Sequence, residues 1–274
     1  MQSRRDNNFP DMEMECAGKT NQSHFVLIHG AGHGAWCWYK VATSLRVDGH
    51  RVTALDMAAS GADPKPLKDV SSLSDYCKPL INFLEALPFG EKVVLVGHSM
   101  GGFCLSLAME TFPEKIALAV FAAAFMPGPD LPASAVYAEL PRHLDSYMDS
   151  EYSFDNGVEN PPTSMVFGPE FLASRLYQLC PPQDLTLATL LLRPVGVLNQ
   201  MDELALSRER YGSVRRAYVV CGSDLTLKQG FQEWQIERNP VDEVKFIAGA
   251  DHMVMLSGCQ ELCSCLKDLV TKFS

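Results

Sequence analysis

The segment Val93-Val94-Leu95-Val96-Gly97-His98-Ser99-Met100-Gly101-Gly102 constrains this chain more than any other. Its apolar run reads as a buried strand, and the pattern from Gly102 to Phe112 reads as an amphipathic helix. Between them lies a G-x-S-x-G turn with a serine at its apex. A serine there is driven toward strained backbone angles, and small neighbours let strand and helix approach without Cβ clashes. The hydroxyl then stands above a sheet edge, beside the positive end of a helix. Ser99 is the candidate nucleophile.

A serine hydroxyl attacks only when a base takes its proton, and the base needs a carboxylate to fix its tautomer. At elbows of this kind the partners follow in the order Ser, Asp or Glu, His. Only His143 and His252 lie C-terminal to Ser99. His143 falls in a Pro-bounded polar stretch and reads as a solvated loop residue. His252 follows the strand-like Glu243–Ile247 in a small-residue turn, and it is the candidate base. Asp224 is the candidate acid, reached from the strand-like Ala217–Cys221 through Gly222-Ser223. An aspartate ahead of the helical pattern Leu227–Ile236 is also a favoured cap, so both roles are open. Asp251, adjacent to His252, is better placed to hold the turn.

Carbonyl attack also needs donors for an oxyanion. One is the N–H of Met100, directly after the serine. The other is the N–H of Ala31, in the loop His29-Gly30-Ala31-Gly32-His33-Gly34 that follows the run Phe25–Ile28. That loop lacks both G-x-G-x-x-G spacing and a Lys-Ser/Thr ending, so no phosphate-bearing cofactor is expected. With no third ligand nearby in sequence, His29 and His33 read as loop structure, and no metal is expected.

Short apolar runs alternate with helical patterns, which predicts an α/β fold with a doubly wound, mainly parallel sheet. Strands are expected near 24–29, 51–56, 92–97, 116–123, 216–221 and 243–248, and helices over 36–48, 72–86, 100–112, 227–236 and 258–272. The alternation stops between 128 and 210, where prolines and glycines cluster and helical patterns appear at 169–180 and 183–192. This predicts a mostly helical cap, 128–210, inserted in a core of 24–127 and 211–274, over the sheet edge where such folds bind ligands. Its apolar residues Tyr137, Tyr147, Phe154, Met165, Phe167, Leu176 and Leu179, together with Leu131, are candidate walls of a dry pocket. Such a pocket suits a neutral small molecule, because burying an unpaired charge is costly.

A formal net charge of −10 argues against nucleic-acid or anionic-membrane partners. The nine cysteines are odd in number and scattered without a C-x-x-C pair, so reduced thiols and a cytoplasmic location are expected. Residues 1–23 are polar, lack the apolar segment of a signal peptide, and read as a disordered extension. The longest apolar run, Ile116 to Met126, is too short to span a bilayer and reads as a buried parallel strand.

The motifs HFVLIHGAGHGAWCW (24–38), VVLVGHSMGG (93–102) and ADHMVML (250–256), with VTALD (52–56) and YGSV (211–214), resemble the plant methylesterase branch of the α/β-hydrolases. That branch holds salicylate, jasmonate and auxin methyl-ester hydrolases, alkaloid-ester esterases and related hydroxynitrile lyases. The resemblance runs through residues 24 to 273. It implies the α/β-hydrolase fold and places nucleophile, acid and base on Ser99, Asp224 and His252. By resemblance alone it also implies a homodimer. Lyase members carry Thr in the oxyanion loop and Lys after the catalytic His. Here those positions are Gly30 and Met253, both counted as substrate-binding, and an open Gly30 favours an ester carbonyl over lyase chemistry.

The chain departs from the branch at Leu225–Lys228 after the acid, at Gly32, and at Tyr147. These departures put the substrate in question rather than the catalytic set. The expected function is hydrolysis of methyl esters of small apolar plant metabolites through an acyl-enzyme, with a ligand-binding receptor on the same scaffold as the alternative. A third reading keeps the hydrolysis but has an unstable free acid lose carbon dioxide afterwards, as the resemblance to alkaloid-type members implies.

Overall fold

The computed structural model describes residues 22–197 and 204–274. The first 21 positions of the expected N-terminal extension lie outside the described residues, as does part of the cap, 198–203. Gln22 and Ser23 are described, and both are tied to the core: Gln22 Nε2 donates to the Gly49 carbonyl and Ser23 accepts from Arg51 N–H.

The strands of the main sheet are β1 (His24–Ile28), β2 (Arg51–Leu55), β3 (Val93–Ser99), β4 (Ile116–Ala124), β8 (Arg216–Cys221) and β9 (Glu243–Ile247). The helices of the core are α1 (Tyr39–Val47), α2 (Leu73–Glu85), α3 (Gly101–Thr111), α7 (Gln229–Arg238), α8 (Val254–Ser257) and α9 (Cys259–Phe273). The sheet order is β2-β1-β3-β4-β8-β9, and every pairing is parallel. β1, β3 and β4 are nearly continuous aliphatic runs because helices cover both faces. β9 lies at an edge and alternates charged with apolar residues.

α3 differs from its expected amphipathic form. Gly101 to Ser106, Ala108 and Met109 are all buried, so the helix is covered on nearly every side, as an all-round apolar helix must be. The outer cover comes partly from the chain around Ser207–Tyr211, where Glu110 accepts from Ser207 and Tyr211.

Strand order reverses between β1 and β3, because the chain runs outward from β1 to β2 and then returns to the far side of β1. Parallel sheets open a crevice at such a switch point, beyond the carboxyl ends of the strands. The loops after β1, β3, β8 and β9 all emerge at that edge. They carry, in turn, Gly30-Ala31, Ser99-Met100, Asp224 and His252.

The cap leaves the core after β4 and returns at β8. It contains α4 (Ala133–Glu139), β5 (Glu151–Ser153), β6 (Ser164–Val166), α5 (Pro169–Phe171, continued by a π-turn over Leu172–Leu176), α6 (Pro182–Leu191) and β7 (Val195–Gly196). The antiparallel sheet β5-β6-β7 was not expected, since strands of two or three residues leave no readable periodicity. Buried Asp184 on α6 ties the cap down by accepting from the Tyr39 hydroxyl and the Lys40 ammonium of α1. Among the described residues no helix is long and apolar enough to cross a membrane.

Candidate active site

Ser99 ends β3 with a positive φ of 52°. For a non-glycine residue this is a costly conformation, and it persists only where the surroundings enforce it. Close packing of α3 does so here. A Cβ at Gly102 would stand 1.9 Å from the Phe125 carbonyl oxygen, so only glycine lets α3 rise this close to the end of β4. Met100 precedes the first turn of α3, where helix N–H groups have no partner within the helix. Ser99 and Met100 both line the cavity under the cap.

Asp224 makes the contacts that both readings of the sequence would need, one set through each carboxylate oxygen. Its Oδ1 accepts from Thr226 N–H at 2.7 Å and Leu227 N–H at 2.9 Å, holding the turn. Its Oδ2 lies 2.7 Å from His252 Nδ1. Both side chains are shielded from solvent. A carboxylate that only accepts fixes the proton on Nδ1 and leaves Nε2 as a lone pair facing the cavity. No hydrogen bond joins Ser99 Oγ to Nε2 in this structure, a contact that commonly tightens only with substrate bound.

Asp251 does not approach the His252 ring. It accepts from Met253 N–H, the Ser257 hydroxyl and Leu179 N–H, and so holds the turn around His252 and anchors the cap to it. Burial pushes its carboxyl above the usual range. His143 is half-buried against Phe231 and Glu139 rather than freely solvated.

Three further histidines surround the serine. His98 Nε2 donates to the His252 carbonyl at 2.7 Å, and its Nδ1 is buried with no partner. Burial and the neighbouring His252 hold His98 well below the ordinary histidine value, so it stays neutral. His29 is fully buried, with ring bonds to the Gly30 carbonyl and Met57 N–H. His33 bonds the Ala31 carbonyl and the Tyr177 hydroxyl, and burial pushes it down to about 3. His29 and His33 are loop structure, as expected. Among the described residues no cluster of His, Cys, Asp or Glu is arranged to hold a metal ion.

Gly30 faces Ser99 across the crevice. A Cβ there would lie 2.8 Å from Ser99 Cβ, 3.3 Å from Ser99 Oγ and 3.0 Å from His98 Nδ1. The absent side chain is therefore what leaves room beside the serine, and Ala31 follows it on the cavity wall.

Of the expected wall residues, Gly30, Tyr137, Tyr147, Met165, Phe167 and Leu176 line the cavity. Phe154, Leu179, Met253 and Leu131 do not. Phe154 and Leu179 project outward from the cap, being 40% and 49% exposed. Met253 and Leu131 are buried in core packing away from the cavity. The sequence reading missed His33, His98, Phe103, Phe125, Leu140, Thr226, Leu227, the β7 residues Val195 and Gly196, and Val197 just after them as lining. Phe125 had a signal available, since it directly follows β4 where that strand ends at the same edge as Ser99.

Residues 25–264 match the model of the alpha/beta hydrolase family. The chain is 54% identical over 257 residues to methyl jasmonate esterase 1 of Vitis vinifera, covering 92% of this chain and 98% of that one. The chain belongs to the plant methylesterase branch of the α/β-hydrolases. Among solved structures, this hydrolase superposes on polyneuridine aldehyde esterase with a TM-score of 0.86, 44% identity, and coverage of 91% and 99% of the two chains. It also superposes on a variant of tomato methylketone synthase I in complex with beta-ketoheptanoate, with a TM-score of 0.89, 44% identity, and coverage of 92% and 98%. The expected fold and family are thus the observed ones.

Proposed function

We propose that this hydrolase cleaves methyl esters of small, largely apolar plant metabolites, with Ser99 as nucleophile, His252 as base and Asp224 as its orienting acid. The observation that carries the reading is the 2.7 Å Asp224–His252 bond beside a cavity that also holds Ser99 at its strained turn. Ser99 Oγ attacks the ester carbonyl while His252 Nε2 takes its proton. The N–H groups of Ala31 and Met100 receive the charge that develops on the carbonyl oxygen. His252 then returns its proton to the departing methoxide, and the acyl group stays on Ser99. A water molecule, deprotonated by the same nitrogen, releases the free acid and regenerates the serine. These steps need neither metal nor cofactor.

The apolar walls and the neutral histidines favour an uncharged ester, since nothing in the cavity would pair a buried charge. Eight described cysteines are free thiols, which supports action in the reducing cytosol. The test is methanol release by wild type and Ser99→Ala across methyl salicylate, methyl jasmonate, methyl indole-acetate and an alkaloid ester, with the acid product followed in parallel. Rapid turnover of one ester that vanishes in Ser99→Ala is the expected result, and the parallel reading detects any later loss of carbon dioxide. Turnover surviving in Ser99→Ala would refute the mechanism. Tight binding with no turnover would favour a receptor on the same scaffold.

A further inference from the structure

Tyr177 reaches from the cap into the loop after β1. Its hydroxyl lies 2.6 Å from His33 Nε2, and His33 Nδ1 lies 2.8 Å from the Ala31 carbonyl oxygen. The proton positions along this relay follow from the chemistry of its ends. A carbonyl oxygen only accepts, so Nδ1 carries the proton and Nε2 is a bare lone pair. Burial keeps the imidazole neutral and the phenol protonated, so Tyr177 donates to Nε2. The imidazole also packs against the Trp36 ring, at 5.3 Å between centroids and 28° between planes, and lies near-parallel to the Tyr177 ring that bonds its edge.

A second bond ties the same loop to the cap, because Arg193 N–H donates to the Gly32 carbonyl at 3.0 Å. The carbonyls of Ala31 and Gly32, two successive peptides, are thus held in line with the cap, one through His33 and one directly. Gly32 has a φ of +71°, a conformation that the side-chain-free residue adopts easily and also leaves easily. The loop's own backbone closes this turn with a 3.3 Å bond from His33 N–H to the Gly30 carbonyl.

We infer that Tyr177 is a positioning residue for catalysis: through His33 the seated cap fixes the oxyanion loop, so that the Ala31 N–H is aimed correctly only when the cap is in place. The inference rests on the reading of Ala31 as an oxyanion donor. Such a donor must lie within a few tenths of an ångström of its ideal distance from the developing charge. Losing the Tyr177 bond leaves the His33 ring free to shift, and with it the Ala31 carbonyl that the ring holds, so the adjoining torsions loosen and the aim is spoiled. The ester in its ground state depends little on the donor, so the effect belongs to the chemical step.

The test uses the full chain and one ester that the wild type hydrolyses. Tyr177→Phe keeps the aromatic ring and removes a single hydroxyl. It should lower kcat about tenfold and leave KM within about twofold. His33→Asn removes the contact with Tyr177, and the double variant should be no worse than the poorer single one, because both changes cut one link. Unchanged kcat with a lowered melting temperature would mean a contact of structure alone and would overturn the inference. A loss carried by KM, or additive losses in the double variant, would overturn it as well. Should His33→Asn fail to fold, the split between kcat and KM in Tyr177→Phe decides by itself. A wild type that hydrolyses no ester sinks the esterase reading and this inference together. An active wild type with an unimpaired Tyr177→Phe sinks the inference alone.

Discussion

Asp224→Asn is the sharpest perturbation of the proposed mechanism, because the structure dictates how the new amide must sit. Oδ1 of Asp224 accepts two backbone N–H groups, from Thr226 and Leu227, at 2.7 and 2.9 Å. An asparagine must keep its carbonyl oxygen there, since turning its NH2 toward two donors would leave both unpaired in a buried site. The NH2 group therefore faces His252 Nδ1, where the carboxylate had accepted at 2.7 Å. Two donors cannot share that bond, so the imidazole adopts the other tautomer and places its proton on Nε2. The nitrogen meant to take the proton of Ser99 is then already protonated.

The local turn survives, because its two backbone bonds are retained. The expected loss is on the order of 10⁴ in kcat, which corresponds to about 5 kcal/mol of transition-state stabilisation. That magnitude follows the measured effect of the same substitution in a serine-protease triad. Ester hydrolysis followed by methanol release reads the loss, and thermal unfolding monitored alongside should show little change. A kcat within about tenfold of wild type, in a protein that melts normally, would refute the role of Asp224 in fixing the tautomer.

Gly30→Ala should reduce kcat about tenfold or more, because its Cβ would meet Ser99 Cβ at 2.8 Å and displace the nucleophile. Hydrolysis at wild-type rate would show that the serine tolerates the shift. Stability should fall with acid: His33 is near 3 when folded against about 6.5 when unfolded, so the unfolded chain binds the extra proton between those values. This one group removes about 2 kcal/mol between pH 8 and pH 5, read by urea unfolding at both values. Buried His98 and His29 push the same way, and the raised Asp251 carboxyl opposes them. A flat stability profile, or one equally steep in His33→Asn, would contradict the assignment to His33.

What the sequence made legible was local or ordered. The strand–turn–helix around Ser99 is written in ten consecutive residues, and its glycines announce the close approach that the Phe125 carbonyl makes to Gly102. Asp224 and His252 were singled out by chain order and by the turns that end their strands, and the fold places the two side chains in hydrogen-bond contact. The parallel sheet was legible because its central strands are buried on both faces and show as unbroken aliphatic runs. α3 was misjudged for a related reason: its small polar residues mimic an amphipathic stripe, yet Ser106 is fully buried and returns its hydroxyl to the Gly102 carbonyl.

The cap was less legible because apolar character says that a residue is covered, not by what. Tyr147 and Phe167 face the cavity while Phe154 and Leu179 face outward, and nothing in their immediate sequence separates the two groups. The same limit hid the polar contacts that matter most here. His33 and Tyr177 are 144 positions apart, and His98 bonds a carbonyl 154 positions away. Each looks like an ordinary loop or motif residue until the fold brings its partner to it. Burial then converts such pairs into commitments, since a neutral imidazole with one nitrogen bound leaves the other a fixed donor or acceptor. In His33 that second nitrogen is met by the cap. The segment that covers the substrate thereby also holds the loop proposed to stabilise its transition state, and an enzyme built this way loses catalytic power when its cap is loosened even if every residue that touches the ester is intact.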